Sequence, residues 1–181
     1  MSNMKTIASI INTSWNIYNF RVGLLKALQE EGYKIVAIAP KDNFSHKLEE
    51  LGFDYYSVKI HNKGTNPFED LKLTADYYSL FKTIKPDVIL NYTIKPNIYG
   101  TLAGTLAGIP VINNVSGLGT VFLDKRFSSR IAKWLYRFTF QFSKKVFFQN
   151  EHDRELFIES RLVDQKKTDR LPGSGIDTKK E

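Results

Sequence analysis

The chain of 181 residues contains no cysteine. Disulfides, thiolate nucleophiles, iron–sulfur clusters and cysteine-ligated zinc are therefore excluded together, and the composition fits a reducing compartment. Histidine is nearly as scarce. His46, His61 and His152 are scattered without the spacing of a metal site, so no metal is expected. No run approaches the roughly 18 to 20 apolar residues of a membrane span, and the N-terminus lacks a basic segment leading into an apolar one with a cleavage site. The expectation is a chain that is neither secreted nor membrane-spanning. Eleven glycines and six prolines are too few for a collagen-like or low-complexity chain. What is present, 42% apolar and 25% charged residues, is ordinary for a globular protein, and at about 150 residues per domain the length predicts one domain with one sizeable core.

The formal net charge of +7 is unevenly spread. Residues 1–123 carry 12 basic and 10 acidic side chains and residues 151–181 carry 7 and 8, whereas 124–150 carry 7 and 1. The basic residues of that segment are Lys125, Arg126, Arg130, Lys133, Arg137, Lys144 and Lys145, mixed with aromatics. On a helix over 127–142, at about 100° per residue, Ile131, Leu135, Phe138 and Phe142 share one face, which is expected to be core. Arg130, Lys133 and Arg137 share another, with Tyr136 and Phe140 beside the cations and away from the expected core. Two readings fit: a helix lying on an anionic membrane surface, and a solvated basic face whose aromatics pack on a neighbouring element. No helix-turn-helix, RNA-recognition or zinc-finger pattern accompanies the patch, so nucleic acid is not an expected partner.

Apolar runs bounded by turn residues alternate with segments of helical period. Strands are predicted at 5–11, 33–39, 54–58, 87–92, 109–115 and 145–149, and helices at 18–31, 44–51, 67–84, 96–107, 127–142 and 151–160. Gly32, Gly52 and Gly108 stand where helices should end, and Pro67 and Pro96 where they should begin. Ile35 to Ala39 and Val88 to Leu90 are continuously apolar, as in strands covered on both faces. The predicted fold class is α/β, a doubly wound, Rossmann-like parallel sheet. Such sheets bind ligands beyond the carboxyl ends of their strands, which directs attention to the loops at 12–17, 40–43, 93–97 and 116–121.

The loop after the first strand has no glycine, so the dinucleotide fingerprint is absent, and there is no phosphate-binding P-loop. It offers instead Asn12, Thr13, Ser14 and Asn16, with Arg21 expected on the first turn of the following helix, where a guanidinium can bind a phosphate. The plainer alternative is that Ser14 or Asn16 caps the helix and Arg21 makes a surface ion pair. Lys95 follows the fourth strand, Asn91 points toward the same edge, Asn113 and Asn114 end the fifth strand, and Gly117-Leu118-Gly119 could bring backbone amides to an anion. No Ser/His/Asp set or carboxylate pair stands at a recognisable spacing. The residues define a polar, cationic crevice and name no reaction.

At these loops the chain resembles the N-terminal domain of GT-B glycosyltransferases of family 4, more narrowly the bacterial enzymes that extend undecaprenyl-pyrophosphate-linked sugars. The matching stretches are Ile17-Tyr18-Asn19-Phe20-Arg21, Leu25-Lys26-Ala27-Leu28, Asn66-Pro67-Phe68, Lys95-Pro96-Asn97-Ile98-Tyr99-Gly100, Gly117-Leu118-Gly119 and Gln149-Asn150-Glu151. Leu171-Pro172-Gly173-Ser174-Gly175-Ile176-Asp177 is similar to the family's crossover into a second domain. The resemblance implies a retaining transfer from a UDP-sugar to a lipid-linked saccharide, with no cofactor. It divides the chain into an acceptor-side domain at 1–172 and the start of a linker at 173–181, with most of the donor site on a C-terminal domain that these residues do not include. On this view the fragment alone is inactive. Carried over by residue, acceptor contacts fall on Ser14, Trp15, Asn16, Arg21, Lys95, Asn114, Gly117, Leu118 and Gly119. Membrane contacts fall on Lys125, Arg126, Arg130, Lys133, Arg137, Tyr136 and Phe140, giving peripheral attachment to the cytoplasmic face of a bacterial plasma membrane. Where relatives often place an acidic residue before the glycine pair, this chain has Val115 and Ser116, and none of the three histidines matches the family's cleft histidine, so no catalytic side chain is assigned. Two alternatives stand beside this reading: a UDP-sugar epimerase, and a non-enzymatic module binding a membrane surface or phosphate.

Overall fold

The computed structural model describes residues 4–61, 66–117 and 127–173. Seven parallel strands form one sheet: β1 (Thr6–Ile10), β2 (Lys34–Ala39), β3 (Asp54–Ser57), β4 (Val88–Tyr92), β5 (Val111–Val115), β6 (Lys145–Phe148) and β7 (Thr168–Arg170), in the order β3-β2-β1-β4-β5-β6-β7. The doubly wound architecture read from the alternation of apolar runs is the one observed. Alternate residues of the central strands enter opposite cores. Ile7, Ile35 and Ala37 pack under α1 (Ser14–Phe20), α2 (Val22–Glu30) and α3 (Ser45–Glu50), whereas Ala8, Ile10, Val36 and Ile38 belong to the core of the other face. That second face is covered by α4 (Pro67–Ile84), a π-helical turn (Pro96–Gly100), α5 (Thr101–Leu106), α6 (Phe127–Phe140) and α7 (Glu151–Glu159). Burial of the strands on both sides is what their unbroken apolar sequence required.

Local chemistry explains the boundaries. Pro67 and Pro96 occupy first-turn positions of their helical segments, and the Asn66 side chain accepts from the Phe68 amide as N-cap of α4. Gly32, at φ 92°, follows α2 in the left-handed conformation that glycine reaches without a Cβ penalty. Gly104 serves closeness instead. A Cβ there would stand 2.5 Å from Val111 Cγ2 and 2.9 Å from Ile89 Cδ1, so α5 sits on β4 and β5 at a distance that only glycine permits. Gly104→Ala is expected to cost about 1–3 kcal/mol by overpacking, read as a lower urea midpoint with an unchanged m-value.

Three expectations are corrected. The helix predicted from residue 18 begins at Ser14, capped by the Thr13 hydroxyl, which accepts from the Asn16 amide, and it breaks at Arg21, where α1 ends and α2 begins. Arg21 is thus a junction residue and not part of a helix's first turn. On α6 the core face is rotated from the expected one: Leu135 packs against the core as expected and Ile131 is half-buried, but the rest of the face differs. Ala132, Tyr136, Thr139 and Phe140 are buried, Tyr136 at 3% and Phe140 at 0% exposure, while Phe138 and Phe142 point outward. Tyr136 meets Phe140 and Phe157 edge-on in the core, so neither Tyr136 nor Phe140 can be a membrane contact. The third correction is β7, which went unpredicted because Thr168-Asp169-Arg170 has no apolar pattern. Such a polar, three-residue strand is a common way of ending a sheet.

Candidate functional site

Strand order reverses between β1 and β4, since β1 leads to β2 on one side and is flanked by β4 on the other. At the carboxyl ends of β1, β4 and β5, where open α/β sheets hold their ligands, lies a cleft of about 300 Å³. Asn12 lines it from β1, Thr93, Lys95 and Asn97 from β4 and its π-turn, and Val115, Ser116 and Gly117 from β5. Tyr136 of α6 closes one wall. Sequence reasoning put this residue on the protein's outside, yet it borders the cleft.

The cleft is built with local strain. Thr93 has φ 67°, a left-handed conformation that costs a β-branched residue about 1–3 kcal/mol and is concentrated at functional sites. The π-turn that follows is likewise frequent at such sites. Gly100 ends the turn against Asn91, whose Oδ1 would be 2.6 Å from any added Cβ. Asn97 is 1% exposed. Its Nδ2 donates to the Asn114 carbonyl at 3.0 Å, which fixes the amide's orientation and leaves Oδ1 buried with no protein partner among the described residues. Burial pushes the Tyr136 phenol above its ordinary pKa, against a hydrogen bond from Asn97, so it stays protonated.

Two cations reach this edge by different means. Arg21 is 8% exposed, with its guanidinium 4.3 Å from the centre of the Tyr92 ring and Nη2 donating to Ser116 Oγ at 3.1 Å. Burial draws its pKa down and Tyr92 opposes that, but a guanidinium keeps its charge at any working pH. Lys95 is held by Asp70, Nζ to Oδ1 at 2.7 Å, with the two side chains 12% and 8% exposed. Tyr99 donates to the other carboxylate oxygen at 2.7 Å. Its own pKa is raised by burial first and by Asp70 second, so the phenol keeps that proton. Asp70 lies in the first turn of α4, where an acidic group is favoured by the helix dipole.

The other predicted positions divide clearly. Ser14 is fully buried, donates to the Pro40 carbonyl at 2.9 Å and lies 3.0 Å from Ser45 Oγ, which makes it a clasp between loops. Asn16 donates to Asn12 Oδ1 at 3.0 Å and so orients a cleft residue. Trp15 is 45% exposed, its ring edge-on to Phe20. Asn114 is 8% exposed and accepts from Ser116 Oγ. Asn91 and Asn113 do not face the cleft. They are sealed beneath it with Thr101 and Ser143, Asn91 donating to Asn113 Oδ1 at 3.1 Å and Asn113 to Ser143 Oγ at 2.7 Å. Leu118, Gly119, Lys125 and Arg126 lie outside the described residues. Asp70, Asn97 and Tyr99 were not among the predicted site residues, and Tyr136 was expected only as a membrane contact. Asn97 and Tyr99 belong to the stretch that carried the family resemblance, and that was the one available signal for them.

A doubly wound sheet with a polar, cationic cleft at its switch point defines a Rossmann-like ligand-binding domain. The glycosyl transferase 4-like model matches residues 6–150, and the chain belongs to that family. The N,N'-diacetylbacillosaminyl-diphospho-undecaprenol alpha-1,3-N-acetylgalactosaminyltransferase of Campylobacter jejuni is 29% identical over 170 residues, covering 91% of this chain and 45% of that protein. The UDP-Gal:alpha-D-GlcNAc-diphosphoundecaprenol alpha-1,3-galactosyltransferase of Escherichia coli is 28% identical over 169 residues, covering 87% of this chain and 43% of its own length. The chain therefore spans less than half the length of these relatives. A glycosyltransferase from Rickettsia africae shares the fold, with a TM-score of 0.73 and 17% identity over 94% of this chain and 43% of that one.

Proposed function

We propose that the chain is the acceptor-side domain of a retaining glycosyltransferase. Residues 1–172 hold a lipid-linked saccharide, and 173–181 lead toward a second domain that carries most of the UDP-sugar site. The product is a bacterial polysaccharide or a glycan destined for protein, and the UDP-sugar is a substrate, with no cofactor besides. The observation that carries this reading is Arg21, stacked on Tyr92 and bonded to Ser116 at the edge of the cleft. Both sequence relatives are named for acceptors that carry a diphosphate, and a fixed guanidinium is the side chain best matched to one. Lys95 contributes less charge to a ligand than its formal +1, since Asp70 already neutralises it. Ser116, Gly117 and Asn114 supply donors and backbone beside the diphosphate, and the work is done at the inner face of the plasma membrane, where such a lipid is anchored.

Calorimetric titration of the chain with a soluble short-chain polyprenyl diphosphate N-acetylhexosamine tests the reading, with UDP-N-acetylglucosamine as competitor. Saturable binding of the first, undisturbed by the second, is the expected result. Preference for the nucleotide sugar would favour an epimerase, and binding of neither would remove the acceptor reading.

A further inference from the structure

The rotation of the core face on α6 leaves a row of large apolar side chains on the outside of the protein. Trp134 is 64% exposed, Phe138 42% and Phe142 43%. Trp134 and Phe138 stand one turn apart on the helix, and Phe142 follows in the turn just past its end. Their rings touch in sequence: Trp134 and Phe138 stack at 5.7 Å with planes 4° apart, and Phe138 meets Phe142 edge-on at 5.6 Å. Arg130 begins the same row one turn before Trp134, and Arg137 stands beside it, both exposed, with Lys133 flanking. The helix over 127–140 carries these three cations and no acidic side chain, so the edge of this row is cationic. Meanwhile the opposite side of the same helix is fully occupied, by the core through Phe140 and by the cleft through Tyr136.

We infer that the row Trp134–Phe138–Phe142 is the surface by which the protein enters the headgroup layer of an anionic membrane. An exposed aromatic stripe edged with cations matches a plane of phosphates lying over hydrocarbon, and tryptophan in particular favours that boundary. A second copy of the chain fits less well. An isologous contact through this row would set Arg130 and Arg137 of each copy against those of the other. The inference rests on the acceptor reading only for the purpose of the contact, because a helix with Tyr136 on one side and Trp134 on the other would hold the cleft one helix diameter, roughly 10 Å, from the surface that presents the acceptor lipid.

The test uses the whole chain carrying Trp15→Phe, so that Trp134 is its single indole, with phosphatidylcholine vesicles made with and without phosphatidylglycerol. Sedimentation with the anionic vesicles, weakened by salt, and a blue shift of Trp134 emission are expected. In the parent sequence, Trp134→Ser/Phe138→Ser/Phe142→Ser should lower vesicle partitioning by about tenfold or more, and Arg130→Glu/Arg137→Glu should do the same at low salt only. All five positions are exposed, and circular dichroism melts check that the variants remain folded. Vesicle binding unchanged by the triple serine variant, or binding without a Trp134 shift, would overturn the inference. So would a concentration-dependent dimer abolished by the same variant, which would make a second copy the partner. Titration with the soluble polyprenyl diphosphate saccharide separates the two proposals. Vesicle binding through this row together with no saccharide binding leaves the docking surface standing and removes the acceptor reading.

Discussion

Replacing Arg21 by alanine should weaken binding of a soluble polyprenyl diphosphate saccharide by about 10- to 100-fold, the range that hydrogen bonds to charged groups contribute. The guanidinium is already placed: it lies on the Tyr92 ring and is bonded to Ser116, so little side-chain freedom remains to be lost when a diphosphate arrives. Arg21→Lys keeps the charge but loses the planar fork and the stacking, and its binding should fall between the two. The alanine variant also removes a desolvated cation–π contact of up to about 2 kcal/mol, so its unfolding midpoint should be measured beside its calorimetric titration. Alanine binding as well as arginine would show that the diphosphate lies elsewhere. Lysine binding as well as arginine would show that a point charge is enough.

The second large effect concerns stability. Asp70 joins α4 to the π-turn through Lys95 and Tyr99, both at 2.7 Å. With both members of the ion pair nearly buried, Asp70→Ala strands an ammonium and a phenol, and about 3–5 kcal/mol of stability should be lost. Removing both charges is a different matter. Asp70→Leu/Lys95→Met leaves no uncompensated ion, and most of the loss should be recovered. Denaturant unfolding of Asp70→Leu, Lys95→Met and the double variant closes the cycle. A cost below about 1 kcal/mol for Asp70→Ala would mean that the pair behaves like a solvated surface bridge. Saccharide binding should weaken in Asp70→Ala and in the double variant, because Lys95 and Asn97 enter the cleft on the turn that Asp70 holds.

The sheet was legible because its strands are buried on both sides. Ile35 to Ala39 can hardly be read otherwise, and the glycines and prolines around them mark the boundaries unaided. Amphipathic reading failed on α6 for a definite reason. The helix is apolar on two sides, and its core side is assembled from Ala132, Thr139 and the polar-tipped Tyr136, while the more hydrophobic Phe138 faces out. Periodicity reports that a stripe exists, and it does not report which of two stripes is inward. The cleft was half legible. The loops that form it followed from the fold class, and Lys95 and Gly117 lie in them, while Arg21 reaches Ser116 from the α1–α2 junction. What the sequence could not show was burial, which turns Ser14 into a loop clasp, hides Asn91 and Asn113 beneath the site, and pairs Lys95 with an aspartate 25 residues earlier. Nor does anything in a threonine's identity announce the left-handed backbone of Thr93.

The strand order also says how the molecule can be made. As the chain leaves the ribosome, β2 finds β1 waiting and β3 finds β2, β4 joins the edge of β1 that is still open, and β5, β6 and β7 each extend the sheet from there. At synthesis rates of about 5–20 residues per second these 181 residues take roughly 10–40 s to appear, and throughout that time each strand meets its final neighbour already in place. Only one edge has a long wait: Ile7 stays without its partner until Val88 is synthesised. Growth then turns in the other direction, and the cleft lies on the seam where it turned.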